Sequence, residues 1–454
     1  MPLGNPVIMT VIIAGAGRVG LAAATVASRQ GSVIIMENDS TKADAAQSLK
    51  NTSVLRNDAS NPKILEDVLK RFSPSTVVAA VDKDSTNVFI CTVIKKFNPE
   101  VKTIATVKNS DYLVTKGIPG VSSIIAPRTT ASEMLTKCTL MENAVSYSRI
   151  NPLKLSFAVF RVDKGSKITG KYVMDLPSDD CSILAIYRSG RIITSVYSCQ
   201  IHDGDRIAVL GSDEALSRFN EMIGIARRAR NITILGAGDL GVAVASNILN
   251  APGRHVVKII DKDLALCNSA ARHVNGAVVV NGNTSDPAFL RSENVDRADA
   301  VISASESEEE NLLICVNAVR FGVRKIVSQY TSEEYGELLR YSGIECIIGY
   351  HNVIINATSE NLTDDKADQS FVFDRPGECL LMLNADESNT FFGKPLGDVY
   401  FPDGIRLAAI VRNGQVIYPS IMDRVTSGDR LVFFVSEYDP VEISRQIGRP
   451  FMGL

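Results

Sequence analysis

The sequence predicts an α/β protein built from two copies of one unit. Each unit is a parallel sheet covered by helices and followed by a small β-rich α+β domain. Three observations indicate this class. Two glycine motifs, GAGRVG from Gly15 and GAGDLG from Gly236, each follow an apolar run and open a helical segment. Matched residues recur 224 positions apart, and each half alternates short β-branched runs with helical segments before it becomes β-rich.

The repeat is clearest downstream of the glycine motifs. The stretch NVFICTVIKKF, which begins at Asn87, corresponds to NLLICVNAVRF, which begins at Asn311. The Gly-Asp-Arg triplets that begin at Gly204 and Gly428 have the same offset of 224. A constant offset over this length indicates a tandem duplication.

The first part of each half is predicted to be a Rossmann-like domain. In the first copy the strand-like runs are MTVIIA, SVIIME, TSVLRN, TVVAAV, KTIATV and VSSIIA, and the second copy has NITIL, VVKIID, AVVVN, AVISAS and RKIVSQ. Their spacing suits βα units, which form a parallel sheet with helices on both faces. The segments PRTTASEMLTKCTL and YHNVIINATSENLTDD then indicate helices that leave the sheet.

The second part of each half is predicted to be a small β-rich domain. CSILAIYRSGRIITSVYS alternates around Ser189-Gly190, and RLAAIVRNGQVIYPSI alternates around Asn413-Gly414. Asn-Gly is the strongest short hairpin signal. Further strands are expected at DRIAVLG and DRLVFFVS, and helical tails at DEALSRFNEMIG and YDPVEISRQIG.

These patterns divide the chain into six expected segments. They are a Rossmann-like domain at 9–127, a crossover helix at 128–150, a β-rich domain at 151–226, a second Rossmann-like domain at 230–348, a second crossover helix at 349–367 and a second β-rich domain at 368–454.

Composition excludes several classes of protein. The chain has 454 residues, of which 45% are apolar and 22% charged, and a net charge of −3. This balance lacks the basic face of a nucleic-acid binder, so no nucleic-acid partner is expected. No apolar run approaches the roughly 18 residues that span a bilayer, and the opening segment is interpreted as a strand and not a signal peptide. Eight cysteines without a CxxC pair and four histidines without metal-ligand spacing predict reduced thiols, no metal and a cytoplasmic location.

The first glycine motif predicts a phosphate-binding turn. Gly15 permits a tight turn, Gly17 lets the backbone approach a pyrophosphate, and Gly20 lets the helix pack on the strand. The helix that follows offers unpaired N–H groups and a positive dipole end to an anion. Glu37, at the end of the next strand-like run, is expected to accept hydrogen bonds from a ribose diol. It would also repel a 2′-phosphate by on the order of 4 kcal/mol at about 4 Å, with an effective dielectric constant of about 20. NAD(H) or an adenosine nucleotide is therefore expected, and NADP is not.

The second motif is predicted to form a poorer site. Gly236 and Asp261 supply the turn and the acid, but Asp239 stands where the first copy has Arg18. An acid at this position opposes an anion. For both motifs an alternative stays open, in which the glycines make only a tight β–α turn and bind no ligand. This alternative is stronger for the second copy.

The combination of motifs resembles the regulator-of-potassium-conductance (RCK) family, also described by its TrkA-N and TrkA-C domains. The resemblance rests on GAGRVG, the acid Glu37, NDAS at 57–60, DKDSTN ending in Asn87, PRTTASEM and the Gly-Asp of each β-rich part. The second copy has GAGDLG, Asp261, GNTS and SESEEEN at the corresponding places. The resemblance extends from Met9 to the last helix and implies the order RCK-N, RCK-C, RCK-N, RCK-C.

The resemblance also implies the nucleotide-contacting residues. In the first copy they are Gly15, Ala16, Gly17, Arg18, Val19, Gly20, Glu37, Asn38, Asp58, Ala59, Asp82 and Lys108. In the second copy they are Gly236, Gly238, Asp239, Leu240, Asp261, Asn283 and Thr284. Asp58 is expected to accept a hydrogen bond from an adenine amino group, and Asn283 departs from the family's aspartate. Lys108 stands where many relatives have a phosphate-binding arginine, and Gln329-Tyr330 is taken as its uncharged counterpart.

The implied function is regulation and not catalysis. The family resemblance implies a nucleotide-sensing subunit, peripheral at the inner face of the cell membrane, that gates a TrkH/TrkG-like potassium-translocating subunit. NAD(H) or ATP/ADP would be the regulatory ligand, and a homo-oligomeric ring of four chains is expected. No catalytic residue is expected, because His202 and His351 are interpreted as structural. The alternatives are a regulatory RCK subunit of another channel or transporter, and an NAD-dependent oxidoreductase.

Overall fold

The computed structural model describes residues 9–29, 31–114, 117–177, 180–224, 228–362, 369–375, 377–387, 389, 391–401 and 403–436. It contains two six-stranded parallel sheets and two five-stranded antiparallel sheets, which confirms the predicted fold class. Within these ranges no helix combines the length and apolar character needed to cross a bilayer.

The first parallel sheet follows the strand order expected of a doubly wound fold. Its elements are β1 (Met9–Ala14), α1 (Arg18–Ala27), β2 (Gly31–Met36), α2 (Ser40–Ala46), β3 (Thr52–Leu55), α3 (Pro62–Phe72), β4 (Thr76–Ala79), α4 (Asp84–Phe97), β5 (Lys102–Thr106), α5 (Asp111–Val114) and β6 (Ser123–Ile125). The strand order is β3-β2-β1-β4-β5-β6. Val11 and Ile13 enter the core on one face of the sheet, and Ile12 and Ala14 enter the core on the other. Both faces are therefore covered, as the continuous apolar runs predict.

The first β-rich domain follows a helix. The elements are α6 (Pro127–Leu140), β7 (Ala144–Ile150), β8 (Leu155–Arg161), β9 (Cys181–Arg188), β10 (Arg191–Ile193), β11 (Arg206–Gly211) and α7 (Asp213–Ile223). The strand order is β10-β9-β11-β8-β7. Helix α7 confirms the helical tail predicted for this copy.

The second half repeats both domains. Its parallel-sheet part has β12 (Asn231–Leu235), α8 (Asp239–Asn250), β13 (Val256–Asp261), α9 (Leu264–His273), β14 (Ala277–Asn281), α10 (Pro287–Ser292), β15 (Ala300–Ser303), α11 (Glu308–Arg320), β16 (Lys325–Tyr330), α12 (Glu333–Tyr341) and β17 (Cys346–Gly349). Its later part has α13 (Tyr350–Leu362), β18 (Gln369–Val372), β19 (Cys379–Asn384), β20 (Ile405–Arg412), β21 (Gln415–Ile417) and β22 (Arg430–Val435). The two strand orders, β14-β13-β12-β15-β16-β17 and β18-β19-β22-β20-β21, match those of the first half. The tail YDPVEISRQIG lies outside the described residues.

Both predicted hairpins are present. Strands β9 and β10 pair across Ser189-Gly190, and β20 and β21 pair across Asn413-Gly414. All four turn residues have positive φ: 49° and 79° in the first turn, 52° and 77° in the second. Positive φ at both central positions suits the right-handed twist of the paired strands.

The first crossover segment is shorter than expected. The segment 128–150 was predicted to be helical, but α6 ends at Leu140 and the chain continues as β7. Residues Ala144–Ile150 pair with β8, so the antiparallel sheet begins before position 151. Strand β7 lies at the edge of its sheet and is mostly buried, with Ser146 half-buried and Arg149 exposed.

The two crossover helices are exchanged between the halves. The chain divides into two compact units. The first unit contains the first parallel sheet and the stretch His351–Ser370, and the second contains Thr129–Tyr350 and the stretch that begins at Phe371. In the first unit Leu362 of α13 packs into the same core as Val26 of α1. In the second unit Asn247 of α8 donates a hydrogen bond of 3.2 Å to Ser132 Oγ of α6.

The two antiparallel sheets share one hydrophobic core within the second unit. Phe157 of β8 stacks on Phe373, with ring centroids 3.8 Å apart, and lies 6.2 Å from the ring of Phe434 in β22. All three side chains are buried. Stacked aromatic pairs contribute beyond the area that they bury, so this pair favours a fixed arrangement of the two sheets.

The Gly-Asp-Arg triplets supply an internal clamp in each β-rich domain. Asp205 accepts hydrogen bonds from Arg188 Nε at 2.8 Å and Nη2 at 2.7 Å, and Asp429 accepts equivalent bonds from Arg412 at 2.7 and 2.8 Å. Both carboxylates are 1% exposed. Burial favours the neutral acid at Asp429, but hydrogen bonds from Arg412 and the Thr426 N–H outweigh it and lower the pKa of Asp429.

Replacing Asp429 by asparagine is expected to destabilise the fold by about 2 kcal/mol at pH 7, because the charge-assisted bonds are lost. The folded-state pKa of Asp429 lies below its unfolded value, so its stabilisation is present above that unfolded value. It is lost as the pH falls through the folded pKa.

Thermal unfolding tests this prediction: the melting temperatures of the wild type and D429N should differ at pH 7 and converge in acid. E66Q, which breaks the exposed Glu66–Lys70 pair, is the control and should melt like the wild type. A D429N variant that also melts like the wild type at pH 7 would contradict the clamp.

Candidate functional site

The candidate site lies at the carboxyl edge of the first parallel sheet. Strand β1 pairs with β2 on one side and with β4 on the other, so the connections from its two neighbours diverge at its end. Such a switch point leaves a crevice in which open α/β sheets bind ligands. Gly15 to Gly20 lie at this point, between β1 and α1.

The three glycines differ in the space around them. Gly15 has a φ of +106°, and an added Cβ would lie 2.6 Å from Ala80 O. An added Cβ on Gly20 would lie 1.9 Å from Gly15 O. Among the residues that the structure describes, none would lie within 4 Å of a Cβ added to Gly17, so the space beside this residue is open to them. Only Gly17 therefore has room for an approaching ligand.

Glu37 holds the glycine turn in place. Its Oε2 accepts a hydrogen bond of 2.7 Å from the N–H of Ala16, and its Oε1 accepts one of 2.9 Å from the N–H of Asp39. The residue is 8% exposed. Each carboxylate oxygen has a second lone pair, so the same group can accept from a ribose hydroxyl.

The start of helix α1 is open to an anion. Gly17 is its N-cap, and no side chain in the described part of the chain caps the helix, whereas Asp39 caps α2 and Asn61 caps α3. The first N–H groups of an uncapped helix and its dipole favour a negative charge. Arg18, the first residue of α1, is exposed and carries a positive charge at the same edge.

The remaining predicted residues of the first copy differ in their surroundings. Asn38 and Asp58 are exposed where β2 and β3 end, and Asp58 Oδ1 accepts from the N–H and the hydroxyl of Ser60. Ala59 is a core residue, 4% exposed. Val19 is half-buried and packs against the core on the other face of the sheet from Ala59.

Asp82 and Lys108 form an ion pair at the ends of β4 and β5. Lys108 Nζ lies 3.3 Å from Asp82 Oδ1, and both side chains are more than half exposed. An exposed pair of this kind contributes little to stability.

Two residues outside the predicted set fix these loops. Asp84 accepts from the N–H groups of Lys108 and Asn109 at 2.9 to 3.0 Å. Asn87 accepts from the Val81 N–H and donates to the Val81 and Thr106 carbonyls at 2.8 to 2.9 Å. The matched pair Asn87 and Asn311 was visible in the repeat, but the repeat did not show that its amide holds two loops together.

The second copy has the same turn. Gly236 has a φ of +121°, and an added Cβ on Gly241 would lie 1.9 Å from Gly236 O. Asp261 Oδ2 accepts from the Ala237 N–H at 2.7 Å. Gly238 is the uncapped N-cap of α8, and Leu240 is buried behind it. The backbone is therefore duplicated together with its acid.

The side chains around the second turn differ in charge. Asp239 begins α8, and an added Cβ on Gly238 would lie 3.9 Å from Glu306 Oε1. Asn283 is exposed and accepts from the Ser285 N–H at 2.9 Å. Thr284 is buried and donates its hydroxyl hydrogen bond to Glu310.

The counterpart of Lys108 is one position later than expected. Glu308, which matches Asp84, accepts from the N–H groups of Thr331 and Ser332 at 2.6 and 3.0 Å. This pattern places Thr331, and not Gln329-Tyr330, at the position of Lys108. The repeat offset is 223 here because Thr76 pairs with Lys102 whereas Ala300 pairs with Lys325. Neither Thr331 nor Gln329-Tyr330 carries the positive charge of Lys108.

Known proteins align with this chain over nearly its whole length. A Trk system potassium uptake protein TrkA homologue of Methanosarcina mazei is 27% identical over 440 residues, which are 94% of this chain and 97% of that protein. The TrkA protein of Haemophilus influenzae is 25% identical and covers 97% of this chain and 99% of its own length. The crystal structure of the GsuK RCK domain has a TM-score of 0.61 at 17% identity, covering 98% of this chain and 96% of that chain. A structure of the GsuK channel bound to NAD has a TM-score of 0.60 at 17% identity, covering 98% of this chain and 79% of that chain.

The domain families cover both copies. The TrkA-N domain matches residues 11–127 and 232–350, and the TrkA-C domain matches residues 157–224 and 380–439. These ranges span both parallel sheets and most of both antiparallel sheets. The chain belongs to the family of tandem TrkA-N and TrkA-C domain proteins.

Proposed function

We propose that this chain is the nucleotide-sensing regulatory subunit of a potassium-uptake system. NAD(H) or ATP/ADP binds at the first glycine turn and biases a homotetrameric ring between two geometries. The ring gates a TrkH/TrkG-like membrane subunit from the cytoplasmic face of the cell membrane. A ligand shifts such an equilibrium only by its difference in affinity for the two states, so the nucleotide supplies the gating free energy.

The observation that carries this proposal is the open glycine turn of the first copy. Within the described ranges Gly17 has free space beside it and α1 has no side-chain cap, and Glu37 lies at the next strand end. The GsuK channel bound to NAD has the same fold over 98% of this chain, and the TrkA relatives align over nearly the whole length. The first site would therefore hold Gly15, Ala16, Gly17, Arg18, Val19, Gly20, Glu37, Asn38, Asp58, Ala59, Asp82 and Lys108 near the ligand.

A regulatory role fits the chemistry better than a catalytic one. Cys91 is buried, and burial raises the pKa of its thiol to about 12. Its counterpart Cys315 is also buried with a raised pKa. Such thiols are poor nucleophiles. His202 lies in the turn that the Asp205 clamp organises, where its N–H donates to Asp205 at 2.7 Å. No hydride transfer to a carbonyl compound is expected from this chain.

The identity of the membrane partner distinguishes a subunit of a potassium-uptake system from a subunit of another channel or transporter. Because the GsuK channel shares the fold, a regulatory subunit of another channel or transporter is the second candidate. Co-purification from native membranes followed by reconstituted potassium flux would decide between them. Nucleotide-dependent potassium flux with a TrkH/TrkG-like subunit supports the proposal, and flux through a different pore supports the alternative.

Gly17→Ala is expected to weaken NADH and ATP binding by about tenfold or more, because the methyl group enters the open space and displaces a charge-assisted hydrogen bond. Calorimetric titration of the full chain measures this loss. Gly238→Ala is the matched control: it changes the N-cap of α8 and should leave the first site unaffected. Equal binding by the wild type and G17A would contradict the proposed site.

Gly20→Ala is expected to lower the free energy of unfolding by about 1–3 kcal/mol, because its Cβ overlaps Gly15 O. Gly17→Ala should cost at most about 1 kcal/mol, since it alters only the N-cap. Chemical denaturation followed by circular dichroism compares the two. If G17A were destabilised more than G20A, the assignment of Gly20 to helix packing and of Gly17 to ligand contact would be wrong.

NADPH is expected to bind the wild type about tenfold to a hundredfold more weakly than NADH, because its 2′-phosphate meets the Glu37 carboxylate. Glu37→Gln keeps a hydrogen-bond acceptor and removes the charge, so it should narrow this ratio. Competition of each reduced cofactor against a fluorescent ATP analogue gives both affinities. An unchanged ratio in E37Q would show that Glu37 does not select against NADP(H).

A further inference from the structure

The cleft of the second copy is spanned by its own side chains. Lys262 follows Asp261 at the end of β13, and Glu310 lies in the first turn of α11, which follows β15. Lys262 Nζ lies 3.1 Å from Glu310 Oε2. Strand β12 lies between β13 and β15 in the sheet. A contact between the loops after β13 and β15 must therefore cross the end of β12, where the glycine turn lies.

Two further side chains complete this bridge. Thr284, from the loop after β14, donates its hydroxyl hydrogen bond to Glu310 Oε1, and Ser305 Oγ donates to Glu310 Oε2 at 2.8 Å. Glu310 is 12% exposed and Thr284 is 1% exposed. Although burial favours the neutral acid, hydrogen bonds from Thr284, Ser305 and Lys262 lower the pKa of Glu310, so the bridge is ionic at neutral pH.

The first copy has no charged side chain at either end of the equivalent path. Asn38 stands where the second copy has Lys262, and Thr86 stands where it has Glu310. Ala59 stands where it has Thr284. The backbone of the two turns is the same, so these substitutions distinguish an open cleft from a bridged one.

The phosphate side of the second cleft is also unfavourable for a nucleotide. Asp239 begins α8, and Glu306 lies beside Gly238. Carboxylates at these two places oppose a pyrophosphate at the helix N-terminus, whereas the first copy has Arg18 at the start of α1. The second copy therefore keeps the glycine turn and the acid Asp261. Its cleft nevertheless disfavours a nucleotide, both at the helix N-terminus and where Lys262 meets Glu310.

We infer that the second copy is a self-closed cleft in which the Lys262–Glu310–Thr284 bridge takes the place of a nucleotide, so that each chain binds one nucleotide, at the first copy. This inference rests on the proposed function for the first site only. It assigns Lys262 and Glu310 as the residues that exclude nucleotide from the second site. The residues predicted for the second site (Gly236, Gly238, Asp239, Leu240, Asp261, Asn283 and Thr284) then act as a structural turn.

The test is calorimetric titration of the full chain with NADH and with ATP. The wild type should bind one nucleotide per chain, G17A should bind it about tenfold or more weakly, and G238A should keep the wild-type affinity. Two sites per chain in the wild type, one of them lost in G238A, would overturn the inference and leave the proposed function intact. Absence of binding in the wild type would instead overturn the proposed function.

The opened variant decides the inference independently of the first site. In the G17A background, K262N with E310T puts the first-copy residues at both ends of the bridge and should raise ATP affinity at least about tenfold. Adding D239R should raise it further. If E310T shifts the melting transition strongly, K262N with E310Q, which keeps the hydrogen-bonding shape and breaks the ion pair, is used and the same rise is expected. Unchanged affinity in a folded opened variant would show that the bridge does not close the cleft, and would overturn the inference.

Discussion

The close approach of helix α1 to strand β1 is the constraint on which the first site depends. With Gly20 almost against Gly15 O, the helix begins at the end of the strand and directs its first N–H groups over the crevice. Glu37 then joins the turn to the next strand through the Ala16 N–H. The acid that would bind ribose is therefore already required by the fold. This explains why the second copy keeps Asp261 on Ala237 although its cleft is bridged.

Local chemistry let the sequence predict much of the architecture. Positive φ at Asn413-Gly414 is a property of those two residues, and the continuous apolar runs predict strands that are covered on both faces. The exchange of α6 and α13 could not be predicted in this way. An apolar helix face indicates that a partner exists, but the packing of Leu362 against Val26 depends on a surface built more than 300 residues earlier in the chain.

The candidate site was only partly predictable for a related reason. The glycines and acids could be located because each acts on its own turn. The roles of Asn87, Asp84 and Glu310 depend on loops that the sheet brings together, and the offset of 223 at Thr331 arises from one residue fewer between β15 and β16 than between β4 and β5. Glu310 is the fourth acid of SESEEEN, and its side chain is largely buried although its neighbours in sequence are polar.

The exchanged helix makes the first site part of a core that both halves of the chain build. Helix α1 begins at the glycine turn, and its residues Ala23 and Val26 share a core with Ile355 and Leu362 of α13. Because that core is closely packed, a displacement of α1 would have to be accommodated by α13. A nucleotide at the first glycine turn would therefore act on a helix from the second half of the chain. If the bridged second cleft takes no nucleotide, this response follows the occupancy of a single site.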